Sequence, residues 1–245
     1  MKLQFDFVSQ AGKNFGVVQP LDDTVLAFPA PIDVWLPANT DANLTLISGR
    51  VSEWKGRRNG RILGQTNAVR RPLPESGLLR MSSDVQATAS QLDLTGTAIG
   101  TRTAFTIAMH GRIHPEQLGV DNQYFWGTSS TNALFRFAYR ITNGTRYLRL
   151  SIFNTTTNID VPLPPEWSGT MGAVAVLSGG TLTVYLTNGS HNSMTLSAPI
   201  DLQTFSVGNA IAGAAGGLRG YVGKLGIWPW AATADERATM LRWAA

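Results

Sequence analysis

The sequence predicts an all-β protein, an antiparallel sandwich of two sheets that is closed by one short C-terminal helix. Three observations favour this fold: two clear hairpin patterns, turn residues recurring about every 8–12 residues elsewhere, and a single helix signal near the C-terminus. Charged residues make up only 15% of the 245 residues and hydrophobic residues 43%. That balance suits strands and polar turns better than long solvated helices.

The first hairpin is centred on Asn143-Gly144, the strongest two-residue turn signal because both residue types tolerate positive φ. A two-residue loop fixes the register of the flanking strands. The register places apolar residues opposite each other on one face: Phe135 with Ile152, Phe137 with Leu150, and Tyr139 with Leu148. The other face pairs polar residues with small ones or with each other. A slip by one residue would scramble both faces, so the register is well specified.

A second hairpin is predicted around Gly179-Gly180. Its register sets three apolar pairs on one face: Ala173 with Leu186, Ala175 with Val184, and Leu177 with Leu182. The other face of these strands is also fairly apolar, as expected for strands in the middle of a sandwich.

The two ends of the chain differ from the strand-rich middle. Thr233 and Glu236 fit a capping box, and apolar residues follow at helical spacing, so one short helix closes the chain. Residues 1–30 carry Phe5 and Phe7 in alternation and then Pro20 and Pro29, with Pro31 directly after them. This pattern predicts an attachment arm or edge strand with a Pro-rich connector. The sandwich domain is therefore expected over residues 31–245.

Four stretches in this order resemble motifs of concanavalin A-like/laminin-G-like lectin-type domains of phage and bacterial structural proteins. They are Val-Trp-Leu-Pro-Ala at 34–38, the Trp-containing loop at 51–61 with Arg-Pro at 71–72, the hairpin at 181–189, and the segments at 220–228 and 233–245. The resemblance implies a jelly-roll sandwich that recognises ligands such as carbohydrate. Lys55, Arg57 and Arg58 replace the usual acidic and polar run of the loop, which argues against a calcium ion bound there.

Catalysis is not expected from the arrangement of the acidic residues. Glycoside hydrolysis requires two carboxylates held across the scissile bond. The candidate carboxylates are isolated along the chain and share no i, i+2 spacing: Glu116, Asp121, Asp160, Glu166 and Asp201. The sequence therefore predicts a non-enzymatic protein, and a glycoside hydrolase is the disfavoured alternative.

No metal site or other cofactor is predicted. His110 and His114 are four residues apart, but the segment reads as a strand, in which they would lie roughly 13 Å apart. A calcium ion held by Asp121, Asn122 and backbone carbonyls of the 115–123 loop is the one alternative, since calcium accepts mixed oxygen ligands.

The preferred sugar-binding patch joins an aromatic platform to polar anchors in one loop: Asp121, Asn122, Tyr124 and Trp126. Exposed aromatic rings stack on the apolar faces of sugars, and polar side chains fix the orientation. Trp167 and Trp230 also lie near predicted loops. Trp35, Trp54 and Trp228 fall within the family-like motifs and are expected in the core.

Candidate partner contacts are Phe5 and Phe7 in the arm and Arg57, Arg58 and Arg61 in a basic segment over residues 50–80. Such a segment suits nucleic acid, an acidic polysaccharide or an acidic face of a neighbouring subunit, but no nucleic-acid motif accompanies it. Neither a signal peptide nor an apolar run of membrane-spanning length is present.

Two functions remain open. The preferred one is a virion surface protein of the fibre or spike type that recognises a host-cell glycan and contacts other virion proteins through the arm. The alternative is a purely structural capsid-decoration or tail component that uses the sandwich for assembly. A homo-oligomer, with a trimer as the guess, is expected in either case.

Overall fold

The fold is described from a computed structural model over residues 20–36, 43–82, 89–95, 99–128, 135–152, 157–202, 205–209 and 217–245. The helices of these ranges are α1 (Leu21–Leu26) and α2 (Ala234–Ala244), together with short 3-10 turns at Ala68–Arg70 and Pro115–Gln117. The strands are β1 (Asp33–Trp35), β2 (Leu44–Ile47), β3 (Arg50–Lys55), β4 (Ile62–Gly64), β5 (Leu73–Glu75), β6 (Leu78–Met81), β7 (Leu92–Leu94), β8 (Thr101–Arg102), β9 (Phe105–Ile113), β10 (Gln123–Thr128), β11 (Phe135–Thr142), β12 (Thr145–Ile152), β13 (Thr157–Pro162), β14 (Thr170–Ser178), β15 (Thr181–Leu186), β16 (His191–Thr195), β17 (Ile200–Asp201), β18 (Phe205–Val207) and β19 (Gly220–Trp228).

Two large antiparallel sheets form the sandwich. Sheet I has eight strands in the order β16-β15-β14-β9-β19-β6-β5, with β1 paired to β19. Sheet II has nine strands in the order β13-β12-β11-β10-β18-β7-β4-β3-β2. The remaining pair, β8 with β17, stands apart. The all-β sandwich with a short C-terminal helix is thus confirmed.

Both predicted hairpins have the expected register. Phe135 is opposite Ile152 and the pairing runs without a shift to Thr142 opposite Thr145. Asn143 and Gly144 take positive φ values of 49° and 77°, as a two-residue turn of this kind requires. The second hairpin pairs its apolar residues as predicted, from Ala173 with Leu186 to Leu177 with Leu182.

The core lies between the sheets and is dominated by fully buried aromatic and aliphatic side chains. Trp35 and Trp54, expected in the core, are completely buried. Each also satisfies its indole N–H: Trp35 donates to the Trp54 carbonyl and Trp54 to the Leu36 carbonyl, both at 3.0 Å. These bonds tie β1 to β3 across the two sheets. They also satisfy two buried indole N–H groups that would be costly to leave unpaired.

The outer face of sheet I carries a second apolar cluster beneath the two helices. Val174, Val176 and Trp228 project from the strands, and Trp243 of α2 is buried against them. Helix α2 begins at the predicted capping box, in which Thr233 and Glu236 bond each other's backbone N–H groups. Trp228, also expected in the core, is therefore buried in this outer cluster.

Residues 20–30 pack on the sandwich, although the sequence pattern places them in the arm. Val25 of α1 is completely buried in the outer cluster. Asp22 accepts a 2.8 Å hydrogen bond from the indole N–H of Trp243. The predicted arm over residues 1–19, with Phe5 and Phe7, lies outside the described residues and stays a prediction. Among the described helices, none is both long and apolar enough to cross a membrane.

Candidate functional site

The structure separates the residues of the predicted sugar-binding patch. The register of β10 against β11 shifts between Tyr124 and Trp126, which marks a β-bulge. Because the extra residue interrupts the alternation of side chains, Phe125 and Trp126 both face the core. Trp126 is only 2% exposed and stacks on Phe137 at 5.6 Å. The expectation of an exposed platform at Trp126 is therefore wrong.

Tyr124 projects from the outer face of sheet II but is only 8% exposed. The guanidinium of Arg136 lies over its ring, with Cζ 5.6 Å from the centroid. This cation–π contact occupies the ring face that a sugar would need. The expectation that Tyr124 offers an accessible stacking surface is not met.

Asp121 is held by protein groups at the edge of sheet II. Its carboxylate accepts hydrogen bonds from Arg140 Nε at 2.9 Å and from the Ile141 backbone N–H at 2.7 Å. Burial alone would raise the pKa of Asp121, but these bonds and the one from the Asn122 backbone lower it. Asn122 takes a positive φ of 64°. Calcium binding at this loop stays a prediction.

The other loop tryptophans are packed rather than free. Trp167 stacks on Tyr139 at 5.5 Å and donates its indole N–H to the Thr170 carbonyl at 2.7 Å. Trp230 donates to the Pro29 carbonyl at 2.8 Å and meets Phe28 edge-on. Both rings are half-buried and serve the packing of neighbouring segments.

The arginine-rich loop after β3 is organised by a buried carboxylate that no sequence pattern reveals. Asp33 is completely buried and accepts backbone N–H bonds from Arg58 at 2.9 Å and Arg61 at 2.7 Å. Gly56 is required beside it, since a Cβ there would overlap the carboxylate. Arg57 and Arg58 are exposed and Arg61 is half-buried. Their role as partner contacts stays a prediction.

A cleft of about 200 Å³ opens at the end of sheet I that the helices leave uncovered. It lies between β6, β19 and the 3-10 turn Pro115–Gln117. Its lining combines aromatic rings, guanidinium groups, a carboxylate, a carboxamide and a hydroxyl: Arg80, Met81, Ser82, His114, Glu116, Gln117, Arg219, Gly220 and Tyr221.

Tyr221 lies at the centre of the cleft wall. Its hydroxyl donates a 3.0 Å hydrogen bond to Glu75, and Arg80 forms a 3.2 Å ion pair with the same carboxylate. The imidazole of His114 stacks on the Tyr221 ring at 6.4 Å with an interplanar angle of 28°. Burial, together with the bond to Glu75, raises the pKa of the Tyr221 hydroxyl above its ordinary value.

The floor of the cleft is fixed by Gln123, which is 1% exposed. Its amide donates to the carbonyls of Gln117 and Val120 at 2.8 and 2.9 Å, and its oxygen accepts from the Arg219 backbone N–H at 3.1 Å. Arg219 in turn donates from its guanidinium to the Gln117 side chain at 3.1 Å. Gly220 completes the floor, because a Cβ would overlap the Arg112 backbone.

This arrangement suits the recognition of a polar ring. The stacked Tyr221 and His114 rings form an aromatic wall, and the surrounding guanidinium and carboxamide groups are hydrogen-bond donors of fixed position. Of the carboxylates at the cleft, Glu75 is engaged by Tyr221 and Arg80, whereas the Glu116 side chain is 83% exposed.

Sequence reasoning misses this cleft because its residues come from distant segments. Tyr221 lies in a stretch that resembles a family motif. The spacing of His114 from His110 suggests only a metal ligand to be tested, and nothing in the sequence connects it to Tyr221. The one local signal is an aromatic residue directly after a glycine in a strand, Gly220-Tyr221. Only the pairing of β19 with β6 brings Tyr221 beside Arg80.

The comparisons with known proteins show the fold alone. No family model matches the chain, and no curated protein matches it. Among solved structures, it is similar to domain 4 of an extracellular arabinanase from Geobacillus stearothermophilus, solved with arabinotriose, with a TM-score of 0.53 at 13% identity over 88% of this chain and 98% of that domain.

Two further structures show the same sandwich. The CBM2 module of the evolved Dit protein of Lactobacillus casei BL23 phage J-1 gives a TM-score of 0.51 at 14% identity, covering 83% of this chain and 97% of the module. A sialidase from Trypanosoma rangeli gives 0.56 at 12% identity over 96% of this chain, which spans only 35% of the sialidase.

Proposed function

We propose that this chain is a non-enzymatic glycan-binding module of a virion surface protein, of the fibre or spike type, and that the cleft around Tyr221 holds the glycan. The observation that carries the proposal is the cleft itself, in which an aromatic wall meets several fixed donors. Structures of similar fold include an arabinanase domain solved with arabinotriose and a phage CBM2 module, which supports this choice. Virion location, a glycan on a host surface and a homo-oligomer are parts of the proposal.

Binding rather than hydrolysis is proposed because of the way the carboxylates are used. Glycosidases hold two carboxylates across the scissile bond, one of them free to act as an acid. At this cleft Glu75 is tied to Tyr221 and Arg80, and Glu116 extends into solvent. The similarity to a sialidase does not bear on this point, since it concerns the fold and about a third of that protein.

A glycan array with purified protein tests the proposal. We expect binding to a defined set of glycans that Tyr221→Ala abolishes or reduces at least tenfold. Tyr147→Ala is the matched control, because Tyr147 is also half-buried but projects from sheet II. Retained binding in Tyr221→Ala, or equal loss in both variants, would contradict the assignment of the cleft. An absence of binding to any glycan would contradict the function itself.

One observation favours assembly as a second candidate function. Four large apolar side chains are exposed on the β2–β3 hairpin and on the segment from the 3-10 turn to β5: Leu46, Ile47, Val69 and Leu73. The two segments meet at one corner of the sandwich, where the Val51 N–H donates to the Pro72 carbonyl at 2.8 Å. Exposed apolar groups at sheet edges are typical contact sites. If assembly uses this corner, Ile47→Lys will reduce the oligomer size measured by light scattering and leave glycan binding unchanged.

A further inference from the structure

The cleft wall is cationic because of its strand register. On the outer face of sheet I, Tyr221 of β19 is directly opposite Arg80 of β6 on one side and Arg112 of β9 on the other. Directly opposed residues share one face of a sheet, with Cβ atoms roughly 5 Å apart. Arg80 and Arg112 are both exposed, so two guanidinium groups flank one aromatic ring at the surface.

Arg80 and Arg219 line the cleft itself, whereas Arg112 lies beside Tyr221 at its border. Arg219 also donates to the Gln117 side chain. The carboxylates nearby are Glu75, which already accepts from Tyr221 and pairs with Arg80, and the largely exposed Glu116. Among the residues that the structure describes, three arginines against two carboxylates leave an excess of positive charge at this site. The planar guanidinium suits recognition of carboxylate and sulfate oxygens.

The aromatic wall makes this site different from a simple basic patch. Both Tyr221 and His114 line the cleft, so it offers an apolar surface next to the guanidinium groups. A ligand that matches both features carries a ring with an apolar C–H face and an anionic substituent on that ring.

We infer that the cleft takes an anionic sugar, with the ring against Tyr221 and His114 and the carboxylate or sulfate at Arg80 and Arg112. This inference rests on the proposed glycan-binding function and specifies its ligand class. Carboxylated glycans and sulfated glycans both carry an anionic group on a sugar ring, so both are ligands of this class.

The test uses the whole chain and a glycan array in which each oligosaccharide backbone is present in neutral, carboxylated and sulfated forms. We expect the charged forms to bind at least tenfold more tightly than the neutral form of the same backbone. Arg112→Gln should reduce binding of the charged forms about tenfold, which corresponds to roughly 1.4 kcal/mol, and leave the neutral forms unchanged. The array also shows whether carboxylate or sulfate is preferred.

Arg242→Gln is the matched control, because Arg242 is an exposed arginine on α2, in a different part of the fold. Arg80→Gln is the second variant, and circular dichroism of each variant establishes that it is folded. Equal binding of neutral and charged forms would overturn the inference and leave the proposed function standing. Binding of a linear oligoglutamate as tight as that of the charged glycans would also overturn it. If no glycan binds in any form, the proposed function fails as well.

Discussion

The outer face of sheet I has two halves that differ completely in character. In the covered half, Val174, Val176 and Trp228 lie beneath α1 and α2. In the open half, the same strands and their neighbours present Arg80, Tyr221 and Arg112 to solvent. A single strand, β19, contributes to both halves, with Trp228 at one end and Tyr221 at the other.

This difference shows that the outward side chains of one sheet can be apolar where another element packs on them and polar where none does. Where helices cover the strands, outward positions are apolar and contribute to stability through burial. Where no described element covers them, the same positions are free to carry ligand-binding groups. The boundary between the halves lies at the C-terminal end of α2, where Lys224 donates to the Trp243 carbonyl at 2.7 Å and His110 to the Ala244 carbonyl at 2.9 Å. Both side chains thereby satisfy carbonyl groups that a helix end leaves unpaired.

The largest expected effect is the loss of the Trp243 side chain from the covered half. Trp243→Ala should lower the free energy of unfolding by about 3–5 kcal/mol, because it removes a fully buried indole and leaves a cavity. Urea unfolding followed by circular dichroism measures the change. Tyr221→Phe in the open half is the control and should cost at most about 1.5 kcal/mol, because it removes one partly exposed hydrogen bond to Glu75. Similar losses in both variants would contradict the distinction between the halves.

A smaller effect is expected from Gly172 in β14, which lies directly under the end of α2. A Cβ at this position would come within 2.5 Å of the Ala244 carbonyl oxygen, a backbone atom that moves only if the helix moves. Gly172→Ala should therefore cost about 1–3 kcal/mol of stability. Gly119→Ala provides the comparison, because nothing lies within 4 Å of a Cβ there. A neutral Gly172→Ala would mean that the helix is not seated closely on β14.

The smallest effect concerns the pH dependence of stability at the boundary. Burial lowers the pKa of His110 most strongly and the nearby Lys224 charge lowers it further, against the opposing bond to Ala244. The unfolded chain therefore binds this proton more readily than the folded one, so the His110 contribution is complete above about pH 6.5 and is lost as the pH falls below it. Unfolding free energies at pH 7.5 and pH 5.5 should differ less in His110→Gln than in the unsubstituted chain. An unchanged difference in His110→Gln, or the same change in His191→Gln, would contradict this assignment.

Much of the fold was predictable because its signals are local. The Asn143-Gly144 turn specifies its own backbone conformation, and the two-residue loop then determines every pair from Thr142–Thr145 to Phe135–Ile152. The capping box at Thr233 is equally local, since its two hydrogen bonds join residues three apart. The candidate site was not predictable in this way, because Glu75, His114 and Tyr221 meet only through strand pairing and loop packing.

The sequence by itself determined the antiparallel hairpins and the closing helix, because hydrophobic alternation, turn chemistry and capping act over a few residues. The burial of Trp35, Trp54 and Trp228 was expected from their place in the family-like motifs. Only the tertiary structure decided the two matters on which function depends. A one-residue bulge in β10 turned Trp126 into the core, which no alternation pattern foretells. The placement of α2 over one half of sheet I left the other half uncovered by either described helix. Where a helix ends on a sheet depends on contacts between residues far apart in the chain.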